Sequence, residues 1–467
     1  MRVAGKSRAW PSARNGRKKY ARKEEKDMAS DMTLTSAPEK VTAVTGTIDA
    51  QGVLSCPVRV RDKEYSKLLT LDKVYQAAHV LRDVARKTDL IPTQNLAPQC
   101  ELYLKAENLQ VTGSFKVRGA AYKISMLSAE ERRRGVIACS AGNHAQGVAL
   151  AAQKSGITAK VFLPATAPLS KVEATLALGA EIVLVDGVYD DAFNAAIACQ
   201  RETGAVFIHP FDDIDVIAGQ GTIGLELMEQ MPDLDAIVVP VGGGGLISGI
   251  AYVAKSLNPH CKVYGVQAQG AGSMTLSLHQ HERSNLAQVS TFADGIAVKC
   301  PGEYTYSICA DYVDDIVMVS DDEIAAAILT LMERQKLVTE GAGAVAVAAA
   351  MFRKLPLSGT KACAVISGGN IDVNILSRVI DRGLLMSGRR GDLTLELLDK
   401  PGQLKEVSAI IADMGANVIR VLHNPGGEDM DINGCYLSLS LETRNFDQLR
   451  SIEDALRAAG YKLLESN

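Results

Sequence analysis

Apolar residues recur through residues 69–90 (LTLDKVYQAAHVLRDVARKTDL) at the three-and-four spacing of an amphipathic helix. Val74, Ala77, Ala78, Leu81 and Val84 share one face, and Pro92 closes the segment. From there to about residue 318 the rhythm changes. Short runs, 136–139 (VIAC), 159–164 (AKVFLP), 180–185 (AEIVLV), 236–241 (AIVVPV) and 262–267 (KVYGVQ), alternate with helical stretches. Each run is nearly all apolar or bounded by glycine or proline, as expected of strands buried on both faces. Strand-then-helix repetition predicts βαβ units in a largely parallel sheet. Ser320 and Glu323, ahead of Ile324, Ile328 and Leu331, form a capping box that predicts a helix through about Leu337.

The pattern shifts at 386–391 (MSGRRG). Beyond it, 392–399 alternates like a half-buried strand, followed by a helix (402–415), an apolar strand (416–422) and a Gly/Pro/Asp loop (424–434). An alternating strand (435–443), a helix (446–459) and a short last strand complete the order βαββαβ, which is ferredoxin-like. The fold class is thus α/β, with a body over residues 65–385 and a separate small domain over 391–467.

Length and composition agree with that division. The 467 residues suit two or three domains. A 47% hydrophobic and 22% charged composition is that of an ordinary globular protein. No uninterrupted apolar run approaches the ~20 residues of a membrane span, so no membrane partner is expected. The nine cysteines lie far apart, without CxxC or Cys/His pairs at zinc-like spacing. An odd count without a secretion signal predicts reduced thiols and a cytoplasmic location. Residues 1–27 carry ten Lys/Arg against three Asp/Glu; the overall charge of −4 then leaves −11 on the other 440 residues. An acidic body argues against nucleic acid as the main partner. The tail lacks the apolar stretch of a signal peptide, and its acids argue against a transit peptide. It is expected to be a disordered basic extension over residues 1–40, with Met28 or Met32 as an alternative first residue.

Candidate chemistry sits in the turns. DAIVVPVGGGGLISGIAYVAKSL runs from strand through Gly242, Gly243, Gly244 and Gly245 into a helix. Glycines there let backbone N–H groups approach an anion at the helix N-terminus, where the dipole also favours negative charge. A mere turn does not need four glycines, and no Gly-Lys-Ser/Thr follows as in a Walker loop. Gly219-Gln-Gly221-Thr-Ile-Gly224 matches GxGxxG but does not directly follow a strand, which argues against a dinucleotide. CSAGNHAQG (139–147) again joins strand to helix, and Ser140, Asn143 and the adjacent amides can hydrogen-bond an oxyanion. His144 alone is more often structural than catalytic. ISGGN (366–370) ends another strand and offers the Ser367 hydroxyl. In an open parallel sheet, turns at the carboxyl ends of strands converge on one crevice. Lys116, in the Gly/Ser/Phe turn GSFK, is either a phosphate counter-ion or a Schiff-base amine. Composition and spacing leave both open.

In order and spacing, SFKVRGA, SAGNHAQG, HPFDD…GQGT, VGGGGL and SGGN resemble the threonine/serine dehydratases, fold-type II pyridoxal-phosphate enzymes of tryptophan synthase β-like fold. The resemblance covers about residues 65–385. LLDKPGQLKEVSAIIADMGANV resembles an ACT regulatory domain. Threonine ammonia-lyases with a single ACT unit combine both parts. The resemblance implies pyridoxal 5'-phosphate as cofactor, Lys116 as its covalent anchor and α-proton base, and Phe115 flanking its ring. It places Asn143 on the phenolic oxygen, Gly242 to Gly245 with Leu246 around the phosphate, and Ser367 at the pyridine nitrogen. Ser140, Ala141, Gly142, Asn143 and His144 would hold the substrate carboxylate, with Glu340 near the ring or substrate.

The implied reaction is β-elimination: L-threonine to 2-oxobutanoate and ammonia, and L-serine to pyruvate. Serine racemases of this fold are the alternative, with β-replacement enzymes a further one. Racemases place a serine where this chain has Ala141, which transfers no proton. Some also bind a divalent metal through carboxylates at positions matching Gln267 and Ser273. Neither residue here is a carboxylate, so no metal is expected there. ACT domains usually pair edge to edge, implying a homo-oligomer (dimer or tetramer) and an amino-acid or nucleotide effector bound around Gly415 to Asn424. A single unit, rather than the double one of many isoleucine-biosynthetic enzymes, tilts the expectation toward threonine catabolism.

Overall fold

A computed structural model describes residues 47–48, 53–55, 65–425 and 432–464. The expected basic extension (1–40), Met28, Met32 and the middle of the 424–434 loop lie outside these residues.

Two parallel sheets build the body. The larger has the order β12–β10–β9–β13–β4–β3, from β3 (Leu90–Pro92), β4 (Glu101–Ala106), β9 (Ala236–Pro240), β10 (Lys262–Ala268), β12 (Asp315–Val319) and β13 (Lys361–Ile366). Its neighbours are parallel except β3, which runs antiparallel to β4 at the edge. The smaller sheet is all parallel, in the order β7–β6–β5–β8, from β5 (Val136–Cys139), β6 (Ala159–Pro164), β7 (Glu181–Val185) and β8 (Val206–Phe207). β1 (Thr47–Ile48), β2 (Val53–Ser55) and β11 (Ser284–Leu286) form an accessory antiparallel sheet.

The expected strands are present. β5 and β9 are buried at every residue, as continuous apolar runs require when helices cover both faces. β7 departs from that expectation. It is an edge strand, and Glu181 and Leu184 are exposed. The first helix also ends early: Leu71–Val80 continues only as a tight turn over Leu81–Asp83, burying Val74, Ala77 and Leu81. Tertiary bonds to the following segment displace helix there, with Lys105 Nζ donating to the Thr88 carbonyl at 2.8 Å and β3 pairing with β4. The helix capped by Ser320 and Glu323 spans Asp321–Thr330 and widens into a π-type turn over Leu331–Gln335. Gly341–Met351 (GAGAVAVAAAM) is apolar all round and is buried from Gly341 to Ala350, a core helix against the larger sheet.

The GxGxxG of 219–224 lies inside a helix, Ile214–Gln230. Its glycines serve packing: a Cβ on Gly219 would meet Gly119 Cα at 2.6 Å, and one on Gly221 would meet the Gly249 carbonyl at 3.2 Å. The helices Lys116–Ser125, Ile214–Gln230 and Gly245–Leu257 thereby pack backbone against backbone.

The C-terminal part is an antiparallel sheet in the order β15–β16–β14–β17, from β14 (Arg390–Leu398), β15 (Asn417–Pro425), β16 (Gly434–Glu442) and β17 (Lys462–Leu464). Leu393, Leu395 and Leu397 of β14 and Cys435, Leu437, Leu439 and Leu441 of β16 face a core closed by Val407, Ile411, Ile452 and Leu456. With helices Gln403–Asp413 and Phe446–Ala458, this is the ferredoxin-like βαββαβ order.

Candidate active site

Lys116 occupies the first position of its helix, after Phe115 at the cap. The turn before it is stitched to the one ending β13. Phe115 N–H donates to the Ser367 carbonyl (3.1 Å), Gly369 N–H donates to the Gly113 carbonyl (2.8 Å), and Ser114 bridges Gly368. Gly113 takes φ +70°, and a side chain there would strike Asn370. These contacts bring Lys116, Phe115 and Ser367 together. The Ser114 hydroxyl in the same turn is buried without a hydrogen-bond partner.

Lys116 Nζ donates to the Pro210 carbonyl at 2.7 Å and lies 5.3 Å from the Phe115 ring centre. Burial lowers its pKa to about 8, with Glu340 acting in the opposite direction. A lysine held by a neutral carbonyl is more readily deprotonated than one held by a carboxylate.

His144 is held as a structural histidine. Its Nε2–H donates to the Ile208 carbonyl (2.8 Å), and burial, then Lys116, press its pKa down to about 3. Its backbone amide lies in the first turn of helix Asn143–Ser155, where N–H groups lack partners within the helix. Ser140 Oγ accepts from Gly142 N–H (3.2 Å), and Ala141 contributes no polar side-chain atom.

Asn143 joins the remaining pieces. Its Nδ2 donates to Glu340 Oε1 (2.7 Å), and its Oδ1 accepts from Asn370 Nδ2 (2.7 Å), which also donates to the Thr112 carbonyl (2.8 Å). Glu340 is 5% exposed; burial, then Asp294, push its pKa up to about 7 against the Asn143 hydrogen bond.

The glycine loop leads from β9 into helix Gly245–Leu257, with Gly244 at φ +99°. A Cβ on Gly243 would lie 2.5 Å from the Phe211 ring, and the Gly243 carbonyl accepts from Thr305 Oγ1 at 2.6 Å. No acidic residue occupies the first helical turn, so its free N–H groups and dipole are uncompensated. The Leu246 side chain belongs to the core, so only its backbone can serve the loop.

Sequence reasoning missed Pro210 and Phe211, which hold Lys116 and pack on the glycine loop, and Asn370. HPFDD stood out only as a motif in order, and the partners it holds are far away in the chain. Gln267 and Ser273 are neutral and engaged: the Gln267 amide binds the Val241 and Ala271 carbonyls and accepts from Thr275, while Ser273 Oγ donates to the Val298 carbonyl.

Three features fit pyridoxal phosphate. They are an amine with lowered pKa, a glycine cradle opening a helix without a competing acid, and a buried hydroxyl turn carrying an orphaned Ser114 Oγ.

Fold and site define a fold-type II pyridoxal-phosphate enzyme. The family model described as pyridoxal-phosphate dependent enzyme matches residues 81–368, and the chain belongs to that family. It is 50% identical over 398 residues to an L-threonine ammonia-lyase of Thermotoga maritima, covering 85% of this chain and 99% of that protein. Among solved structures, the processed form of threonine deaminase isoform 2 from Solanum lycopersicum is similar at TM-score 0.65 and 39% identity, over 73% of this chain and 98% of that one. Maize serine racemase is similar at TM-score 0.64 and 34% identity, over 68% and 98%. Among the described residues no helix is long and apolar enough to cross a membrane.

Proposed function

We propose that this chain is an L-threonine ammonia-lyase that converts L-threonine to 2-oxobutanoate and ammonia, and L-serine to pyruvate. The observation that carries this reading is the placement of Lys116 Nζ, held by the neutral Pro210 carbonyl at the turn shared with Ser367, with Ala141, which carries no proton-transfer group, in the substrate loop. The 50%-identical ammonia-lyase supports it. Bound pyridoxal phosphate supplies the electron sink that acidifies the substrate α-carbon.

The chain's own groups do the rest. Lys116 Nζ would hold the cofactor covalently and, once displaced by the substrate amine, would be free to take the α-proton. The first-turn amides of Asn143–Ser155 and Ser140 bind the substrate carboxylate, and Gly242 to Gly245 with the Leu246 amide receive the phosphate. Asn143 Nδ2 has a second hydrogen for the phenolic oxygen. Ser367 offers the ring nitrogen a neutral hydroxyl rather than a carboxylate, favouring expulsion of the β-hydroxyl over reprotonation. Glu340 holds Asn143.

The catalytic domain then spans 65–385, and residues 391–467 form an ACT-type domain whose exposed edge strand β15 supports pairing with a second copy. An amino-acid or nucleotide effector, a cytoplasmic location and a catabolic role complete the reading. The test is a substrate panel: 2-oxoacid release from L-threonine and L-serine, with D-serine measured in parallel. Oxoacid release with little D-serine supports the lyase; D-serine as main product would make it a racemase.

A further inference from the structure

Away from the catalytic crevice, three ligand-type side chains meet at one rim of the C-terminal sheet. Asp399 follows β14, His423 stands near the end of β15, and Cys435 is the second residue of β16. Strand pairing explains the meeting. Leu397 is opposite Cys435, Asp399 N–H extends the ladder to the Asn433 carbonyl (2.7 Å), and His423 is opposite Leu437, next but one to Cys435. Alternation puts all three on the helix-facing side.

Their ligand atoms lie within 4.8 Å of one another, and no other such group of three His, Cys, Asp or Glu occurs among the described residues. His423 Nε2 and Asp399 Oδ1 are 3.3 Å apart. That is long for a charge-assisted hydrogen bond, which runs ~2.7–2.9 Å. It matches the edge of a tetrahedron, about 3.3 Å, built on zinc bonds of about 2.0–2.1 Å. A surface His–carboxylate pair accounts for two of the groups, and Cys435, which also faces the apolar core, brings its sulfur to the rim within reach of both. Cys435 is 2% exposed, and its sulfur is in no disulfide. The other two side chains are half exposed, 47% for His423 and 50% for Asp399, and so are free to close on the fixed sulfur.

We propose that Asp399, His423 and Cys435 form a binding site for a divalent transition-metal ion of the zinc class. Mixed N, S and O donors select such an ion over magnesium or calcium. Three protein ligands leave a fourth position to water or an exogenous group. The ion would tie together the ends of β14, β15 and β16 and fix the Asp399–Gly402 turn that opens helix Gln403–Asp413.

The test is equilibrium dialysis of the pyridoxal-phosphate-loaded full chain against zinc, with metal counted per chain. About one zinc per chain is expected. His423→Ala and Cys435→Ser should each weaken binding by at least the ~100-fold that loss of an outer-shell partner can already cost. Cys100→Ser, which alters a half-buried thiol elsewhere in the chain, should leave binding unchanged. His423 is half exposed, so its variant reads out binding even if Cys435→Ser unfolds the domain. No bound zinc in the parent protein, or equal zinc in His423→Ala, overturns the proposal.

Discussion

Replacing Arg118 by methionine removes a guanidinium that is 2% exposed and tied to four groups. It grips Glu107 through two bonds of 2.8 Å, Glu226 at 2.6 and 3.1 Å, Thr222 Oγ1 at 3.2 Å and the Arg86 carbonyl at 2.9 Å. Glu107 is wholly buried and would keep only Thr88 Oγ1 and a 3.5 Å contact from Gln110, with Lys105 nearby but bonded to Glu226. Breaking a buried pair from one side costs about 3–5 kcal/mol. That is a factor of roughly 10² to 10³ or more in the folding equilibrium. Arg118 is two residues beyond Lys116 on the same helix, so cofactor retention should fall together with stability.

The pH dependence follows from Glu107. Burial pushes its carboxyl up, but Arg118, with Thr88 and Lys105, offsets this, and its pKa in the parent protein is lowered. Its stabilisation is therefore present above the unfolded pKa and lost as pH falls through the folded one. Without Arg118, burial dominates and the folded pKa rises. The variant's deficit should then be largest near pH 8 and shrink toward pH 5. Arg118→Met/Glu107→Gln, which leaves no lone charge, should be no less stable than the single variant. Urea denaturation followed by circular dichroism at the two pH values measures all of this. A loss under about 1 kcal/mol at pH 8, the size of a surface pair, or a deficit that grows in acid, would refute the reasoning.

Further outcomes follow from the site. Gly243→Ala should weaken pyridoxal-phosphate affinity at least about fivefold through displacement of the Phe211 ring, as spectral titration would show, a steric cost of ~1–3 kcal/mol. Ala141→Ser supplies a second proton-transfer group and should raise D-serine formation from L-serine while elimination continues, read by chiral chromatography. Glu340 has a folded pKa raised to about 7, so the cofactor-free protein should lose stability as pH rises from about 5 to 7 and level off above that. Glu340→Gln should flatten that slope in thermal melts across the same range.

Much of the fold was legible because its signals are local. VIAC, AIVVPV and ACAVI are apolar throughout and lie between helices, and the βαββαβ order of the tail follows from alternation and two amphipathic helices. AEIVLV reads the same way yet sits at a sheet edge, since strand order is not encoded in a strand's own residues. The helix predicted over 69–90 overran because Lys105 and the pairing of β3 act from outside it. The turns SFK, SAGN, GGGG and SGGN were visible for a similar reason: each directly follows or opens a regular element. The Pro210 carbonyl that holds Lys116, the Glu340–Asn143–Asn370 chain and the Arg118 network were not visible. Their partners lie 94, 197, 227 and 108 positions apart. The same distance effect hid Asp399, His423 and Cys435, which no zinc-like spacing announces.

The most direct test of the central claim is to reduce the pyridoxal-phosphate-loaded protein with borohydride and map the modified peptide by mass spectrometry. The adduct is predicted on Lys116 alone, with loss of 2-oxobutanoate release from L-threonine. An adduct on another lysine, or undiminished release from a Lys116-modified protein, would contradict the account.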